Sequence, residues 1–393
     1  MNALLMGYYG ARNLGDELML VCLRRWLERQ GIAITVVCEY PDEIKQQYQL
    51  PAVHNWPLLG QWAWRAVWLR GGAVRLVRAV AGCDALIIGG GDLIRDDRGW
   101  RQFLFTIEKI LLARLLRKPV YLVNVGIGRP HSRYGRSILG WSLRHCRQII
   151  VRDRRSLEIC ENLGAGGVTR LAPDIVLSLP ELLPEIASSR QTDHRAPYVL
   201  VCLRGDPNVF QQYDLNEPKI QTLAAGLDHV VEQYGPDVVF IPFQGLGSSG
   251  LDDNRLHQRV VNAMRHASRT EIRPWTDDLG EICRWFQGAQ GVLAMRLHAA
   301  VLAMCFERPC ILMPYDHKLR EFGQLMGISD AIDSETLDSS AQLRSVLASA
   351  LNRSSAAGTR RAPSPECNSR WTDMALEPTA PPADCQARPP ATL

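Results

Sequence analysis

The first forty residues constrain the fold most. Leu4–Met6 is a short apolar run that stops at Gly7. A glycine-punctuated loop follows. Asp16–Gln30 then places Leu18, Met19, Cys22, Leu23, Trp26 and Leu27 at helical spacings, and Gly31 closes the segment. Ile34–Cys38 is a β-branched run. Strand, loop, helix and strand in that order make a βαβ unit, whose crossover requires a parallel sheet covered by helices.

The alternation continues. Strands are expected at Ala85–Ile88, Val120–Val125, Ile149–Val151 and Val168–Leu171, with helices at Phe103–Leu116, Ile138–Cys146 and Arg155–Leu163. A polar, proline-bounded stretch interrupts the pattern. It resumes with strands Tyr198–Leu203, Val238–Pro242, Val292–Met295 and Cys310–Met313. The helices between and after them are Ile220–Gln233, Leu256–His266, Leu279–Phe286, Leu297–Phe306 and Lys318–Met326. The fold class is therefore α/β, with two Rossmann-like domains of parallel strands and a ligand cleft between them. The expected divisions are 1–185, a linker at 186–197, 198–351 and a tail at 352–393. The tail holds seven of the 23 prolines and no Ile, Val or Phe, so disorder is expected there.

Composition excludes several classes. Lys+Arg of 45 against Asp+Glu of 41 gives a net charge of +4, too weak for a nucleic-acid surface. The 11 cysteines include no CxxC pair and no zinc-like spacing, so no metal site is expected. Several lie in apolar runs, as reduced cytoplasmic thiols do. The N-terminus lacks a signal-peptide pattern, and no stretch is long and apolar enough to span a bilayer.

Polar residues just after strands carry the chemistry. Gly7-Tyr8-Tyr9-Gly10-Ala11-Arg12-Asn13-Leu14-Gly15-Asp16-Glu17 reads either as a ligand loop or as a tight turn with Asp16 capping the helix. Gly89-Gly90-Gly91-Asp92-Leu93 lets a ligand or a packed helix approach the backbone. Gly126-Ile127-Gly128 and Val151-Arg152-Asp153 follow two more strands. Arg152 is read either as an anion-binding fork or as an exposed arginine paired with Asp153. The sharpest cluster is Met295-Arg296-Leu297-His298 with Tyr315-Asp316-His317-Lys318, which brings Arg296, His298 and Lys318 to neighbouring strand ends.

One stretch has no motif but has distinctive chemistry. Residues 44–83 contain no Asp or Glu after Ile44, five basic residues, and Trp56, Trp62, Trp64 and Trp68. They read as membrane-surface contact or as an ordinary helix packing its aromatics inward.

Taken in order, these motifs resemble the polysaccharide pyruvyl transferase family over about Met1–Ile328. The Met-Arg-Leu-His form is most similar to the bacterial branch that modifies cell-wall polysaccharide. The resemblance implies a GT-B-like fold and phosphoenolpyruvate as donor substrate, with no cofactor. It implies ketal formation on two hydroxyls of one sugar, often in a polyprenyl-linked acceptor at the inner face of the membrane. Under it His298 is the catalytic acid or base, because imidazole exchanges protons near neutral pH. Arg152, Arg296 and Lys318 bind the anionic donor, and Gly10, Asn13, Asp16, Gly90 and Gly91 complete the binding surface. The rival enzyme is a nucleotide-sugar glycosyltransferase of the same fold; a non-enzymatic rival is an inert sensor of an anionic metabolite.

Overall fold

A computed structural model describes residues 1–56, 71–95, 100–188, 196–205, 216–245, 252–315, 317–332, 344–345, 348 and 370–377. Two all-parallel sheets form its framework. The N-terminal sheet contains β1 (Asn2–Met6), β2 (Ala33–Cys38), β3 (Ala52–His54), β4 (Ala85–Ile94), β5 (Val120–Ile127), β6 (Gln148–Val151) and β7 (Thr169–Leu171). Their spatial order is β3-β2-β1-β4-β5-β6-β7. The C-terminal sheet contains β8 (Tyr198–Cys202), β9 (Asp237–Phe240), β10 (Thr270–Ile272), β11 (Gly291–Ala294) and β12 (Cys310–Leu312), ordered β10-β9-β8-β11-β12. Both orders reverse beside the first strand of the sheet, at β1/β4 and β8/β11. Such switch points place ligands at the carboxyl ends of the strands.

The N-terminal helices are α1 (Leu14–Glu28), α2 (Pro41–Tyr48), α3 (Gly72–Gly82), α4 (Trp100–Leu115), α5 (Arg133–Arg144) and α6 (Arg154–Asn162), then the short α7 (Leu179–Leu182) and α8 (Pro184–Ala187). The C-terminal helices are α9 (Glu217–Tyr234), α10 (Asn254–Ala263), α11 (Leu279–Gly288), α12 (Leu297–Cys305) and α13 (His317–Met326). Strands buried on both faces read as continuous apolar runs, which is why they were legible. The short edge strands β3 and β10 are half-buried and escaped the sequence pattern.

One apolar cluster runs through both halves. It joins Leu18, Cys22 and Trp26 of α1 to Ile175 and Val176, and these to Ala299, Val301 and Leu302 of α12. The loop before α1 adds backbone pairing across the junction. Leu14 N–H donates to Phe243 O at 2.8 Å, Gly245 N–H donates to Arg12 O at 3.1 Å, and Asn13 bridges Gln244. The nine described cysteines are all free thiols, eight of them buried.

The tail departs from expectation. Residues 370–377 lie against the N-terminal half, with Trp371 fully buried. Its ring meets Trp26 edge-on, centroids 5.1 Å apart. Trp26 Nε1 donates to Trp371 O at 2.8 Å, and Tyr121 Oη donates to Glu377 O at 2.8 Å. A lack of Ile, Val and Phe suggested that nothing here could dock. Trp371 and Leu376 supply the apolar area instead. The rest of the tail and most of the expected linker, residues 189–195, lie outside the described residues, as do Trp62, Trp64, Trp68 and Asp316.

Candidate active site

Five ionisable side chains, basic residues alternating with acidic ones, line up across the junction of the two sheets. Lys318, in the first turn of α13, pairs with Asp92 near the end of β4. Asp92 Oδ1 accepts from Arg152 at 3.0 Å, and Arg152 donates again to Asp174 Oδ2 at 2.9 Å. His298 Nε2, in the first turn of α12, lies 3.6 Å from the same Asp174 oxygen. Lys318 and His298 come from the C-terminal half; Asp92, Arg152 and Asp174 come from the N-terminal half.

Local sequence explains each placement. Arg152 follows β6 directly, while its neighbour Asp153 turns away to cap α6, accepting from Ser156 N–H at 2.7 Å. Ser156 Oγ in turn accepts from Ile127 N–H at 2.8 Å, which braces the Gly-Ile-Gly turn. The exposed pairing of Arg152 with Asp153 is therefore not what forms; the Arg152 side chain is only 9% exposed and faces Asp92 and Asp174. Asp174 sits in the turn after β7, where its second oxygen accepts from Val176 N–H at 3.1 Å. Ile175 N–H donates to Asn124 Oδ1 at 3.1 Å, from a left-handed Asn124 at a bulge in β5.

Two glycines make room for the cluster. A Cβ on Gly126 would stand 2.2 Å from Asp92 Oδ1, and one on Gly15 would stand 2.2 Å from His298 Nδ1. Either substitution forces the facing side chain out of place.

Electrostatics follows from this packing. Burial opposes ionisation of Asp92, but Lys318 and Arg152 outweigh it and hold the carboxyl far below the usual carboxylate range. Burial likewise opposes ionisation of Asp174, and His298 and Arg152 outweigh it. Asp16 is different. Burial pushes its carboxyl up to about 6, against the pull of His298 and Arg152. A carboxyl poised there can hold or release a proton near neutral pH. His298 Nε2 is buried and faces the Asp174 carboxylate at 3.6 Å, beyond direct hydrogen-bond distance.

A cavity of about 1020 Å³ opens beside this array. Asp92, Arg95, Arg152, Asp174 and Lys318 form part of its wall; Gly126–Arg129 and Phe322 contribute elsewhere.

The remaining expected residues occupy other positions. Arg296 is buried and makes a two-point contact with Asp253, whose carboxylate also accepts from Gly205, Phe243 and Gln244 N–H groups. Asn13, not Asp16, caps α1: its Oδ1 accepts from Gly15 N–H at 3.1 Å. Gly10 takes φ +76° and donates its N–H to Glu17 Oε1 at 2.8 Å. Gly90 and Gly91 take φ +73° and +77°, folding β4 over Met19 and Asp16. Asp92 and Asp174 carry the array yet were not singled out. The signal available was an acidic residue within three positions of a strand's carboxyl end, in Gly-Gly-Gly-Asp and Ala-Pro-Asp.

Comparison with known proteins agrees with this architecture. Residues 13–317 match the polysaccharide pyruvyl transferase family. The fold is similar to UDP-GlcNAc 2-epimerase from Methanocaldococcus jannaschii, at TM-score 0.59 and 13% identity over 89% of this chain and 92% of that one. MnaA of S. aureus, solved with UDP, gives 0.60 at 10% identity over 90% and 89%. A glycosyltransferase from Rickettsia africae gives 0.52 at 8% identity over 90% and 93%. These neighbours share the two-sheet GT-B-like arrangement. The chain belongs to the polysaccharide pyruvyl transferase family and is a transferase of polysaccharide biosynthesis.

Proposed function

We propose that the chain transfers a pyruvyl group from phosphoenolpyruvate to two hydroxyls of one sugar, in a cell-surface polysaccharide or its lipid-linked precursor, and releases phosphate. The observation that carries this reading is the convergence of Arg152 and Lys318, from opposite halves, on one carboxylate, Asp92, at the cavity wall, with His298 facing the second carboxylate that Arg152 holds, Asp174.

The donor's phosphate and carboxylate would compete with Asp92 and Asp174 for those cations. The planar guanidinium of Arg152 suits bidentate binding of either group, and Lys318 adds a point charge. Protonation of the donor's methylene carbon makes C2 electrophilic, and one sugar hydroxyl adds there, giving its proton back to the group that protonated the carbon. A second hydroxyl then displaces phosphate, and its proton leaves with the phosphate. Each step needs a positioned acid or base, a part that His298 or Asp16 would take. The chemistry needs no cofactor, because the donor carries its own leaving group.

The acceptor's lipid link would bring the enzyme to the inner face of the membrane. Among the described residues no helix is long and apolar enough to cross a bilayer, so contact would be peripheral. The test is incubation with phosphoenolpyruvate and a panel of polyprenyl-linked saccharides. Phosphate release with a pyruvyl mass gain supports the reading. Release of a nucleotide from UDP-sugars, with no phosphoenolpyruvate turnover, replaces it with glycosyl transfer.

A further inference from the structure

We propose that Trp371 is a positioning residue for the catalytic centre, acting through the Asp174 turn. The inference rests on the pyruvyl-transfer reading and adds a contribution from the C-terminal tail.

The contacts form a short relay. Trp371 Nε1 donates to Pro173 O at 2.7 Å, and Pro173 is the residue before Asp174. Asp174 then holds Arg152 at 2.9 Å and stands 3.6 Å from His298. The one-turn 3₁₀ segment that follows, Ile175–Ser178, packs between α1, which carries Asp16, and α12, which carries His298. Three of the acid–base and anion-binding groups therefore meet around a turn whose carbonyl is tied to the tail.

The described tail segment, 370–377, is fastened at both ends, so the tie is set. Leu376 N–H donates to Gln30 Oε1 at 2.9 Å. Glu377 N–H donates to Gln148 Oε1 at 3.2 Å, and its side chain pairs with Arg170 at 3.1 Å. Trp371 has both donor and backbone engaged: its ring N–H serves Pro173, and its carbonyl accepts from Trp26. A tail that only covered apolar surface would not need its buried indole N–H aimed at the residue before a site carboxylate.

The experiment compares the full-length chain with Trp371→Phe. Phenylalanine keeps an aromatic edge against Trp26 but cannot donate to Pro173. We expect kcat to fall by ~10-fold at temperatures well below melting, the scale of a small misplacement of catalytic groups, and the ring resonances of His298, assigned with His298→Gln, to move. Native kcat and donor KM together with unmoved His298 resonances overturn the proposal, whatever happens to the melting temperature. If the native chain turns over no phosphoenolpyruvate, the resonances alone decide: movement supports the relay and its absence overturns it. Should Trp371→Phe not fold, benzothienylalanine at position 371, with the shape of tryptophan but no N–H, takes its place in the same measurements.

Discussion

Arg152 and Lys318 reach the same carboxylate, Asp92, from sheets on opposite sides of the cleft. The bond pattern joins the two halves at the site itself. It also sets up a competition, because a dianion drawn to Arg152 or Lys318 competes with Asp92 for that cation.

Asp92→Asn tests that competition. The variant leaves Arg95, Arg152 and Lys318 without their shared counter-charge, and breaking a buried pair from one side costs about 3–5 kcal/mol. We expect a lower melting temperature, with a larger upward shift on adding phosphoenolpyruvate than the native chain shows. Donor Kd should fall while turnover falls too. Calorimetric titration checks it; a weakened donor Kd would mean that Asp92 helps to hold the donor.

His298→Ala should lose turnover by at least ~100-fold, the usual contribution of a general acid or base. Stability should fall as well, because His298 is one of the two groups that hold the buried Asp174 carboxylate ionised. Initial rates beside a melting curve separate the two effects. Near-native turnover removes His298 from the mechanism.

Arg296→Lys addresses a residue whose sequence position misleads. It sits at a strand end beside His298, as a donor-binding arginine would, yet its guanidinium is committed to Asp253. Lysine keeps the charge and loses the fork. We expect destabilisation of about 1–3 kcal/mol from the lost charge-assisted bonds, with a modest rise in donor KM. A large KM rise at native stability would instead put Arg296 on the donor.

What was legible and what was not divides along physical lines. The strands buried on both faces, such as β4 and β5, announce themselves by unbroken apolar runs, and the strand-end cations follow from them. Glycine marked close approach at Gly15 and Gly126 but gave no hint of what approaches: His298 and Asp92, not a ligand backbone contact. Partner choice was likewise hidden. Nothing local distinguishes Arg152, which faces two aspartates far away in sequence, from Arg296, which faces Asp253. The tail failed for a different reason. One tryptophan provides enough area to dock a segment that looks structureless by composition.

Glu17 gives a pH dependence. It is buried, accepts from Gly10 N–H and Tyr48 Oη, and burial pushes it from the ordinary 4.5 up to about 8. The folded chain therefore holds a proton that the unfolded chain has lost between those values. Stability from this group is full below pH 4.5 and falls as pH rises through about 8. At about 1.4 kcal/mol per unit the span is worth a few kcal/mol. Glu17→Gln, which keeps an acceptor and cannot ionise, should flatten the fall. Melting curves across that pH range check it; equal slopes in both proteins would mean that Glu17 is ionised throughout.

The last expectation concerns the membrane. Helix α3 buries Ala73, Leu76 and Val80 and exposes Val74, Arg75, Val77 and Arg78 on its other side. Exposed valines between arginines suit the headgroup level of an anionic bilayer. Trp56, by contrast, tucks against Gly72 and stacks on His54, so that tryptophan belongs to the fold. Each basic residue near an anionic surface contributes about 1 kcal/mol, so changing Arg75 and Arg78 to Gln should weaken vesicle binding by ~30-fold. Raised salt should weaken it as well, because exposed charges are screened beyond ~8 Å at physiological ionic strength. Val74→Ser with Val77→Ser should weaken it without altering the salt response. Co-sedimentation with anionic vesicles at low and high salt reads all three. Absence of binding at low salt would leave this face of α3 as solvated surface, and the acceptor would have to reach the cleft without the enzyme touching the bilayer here.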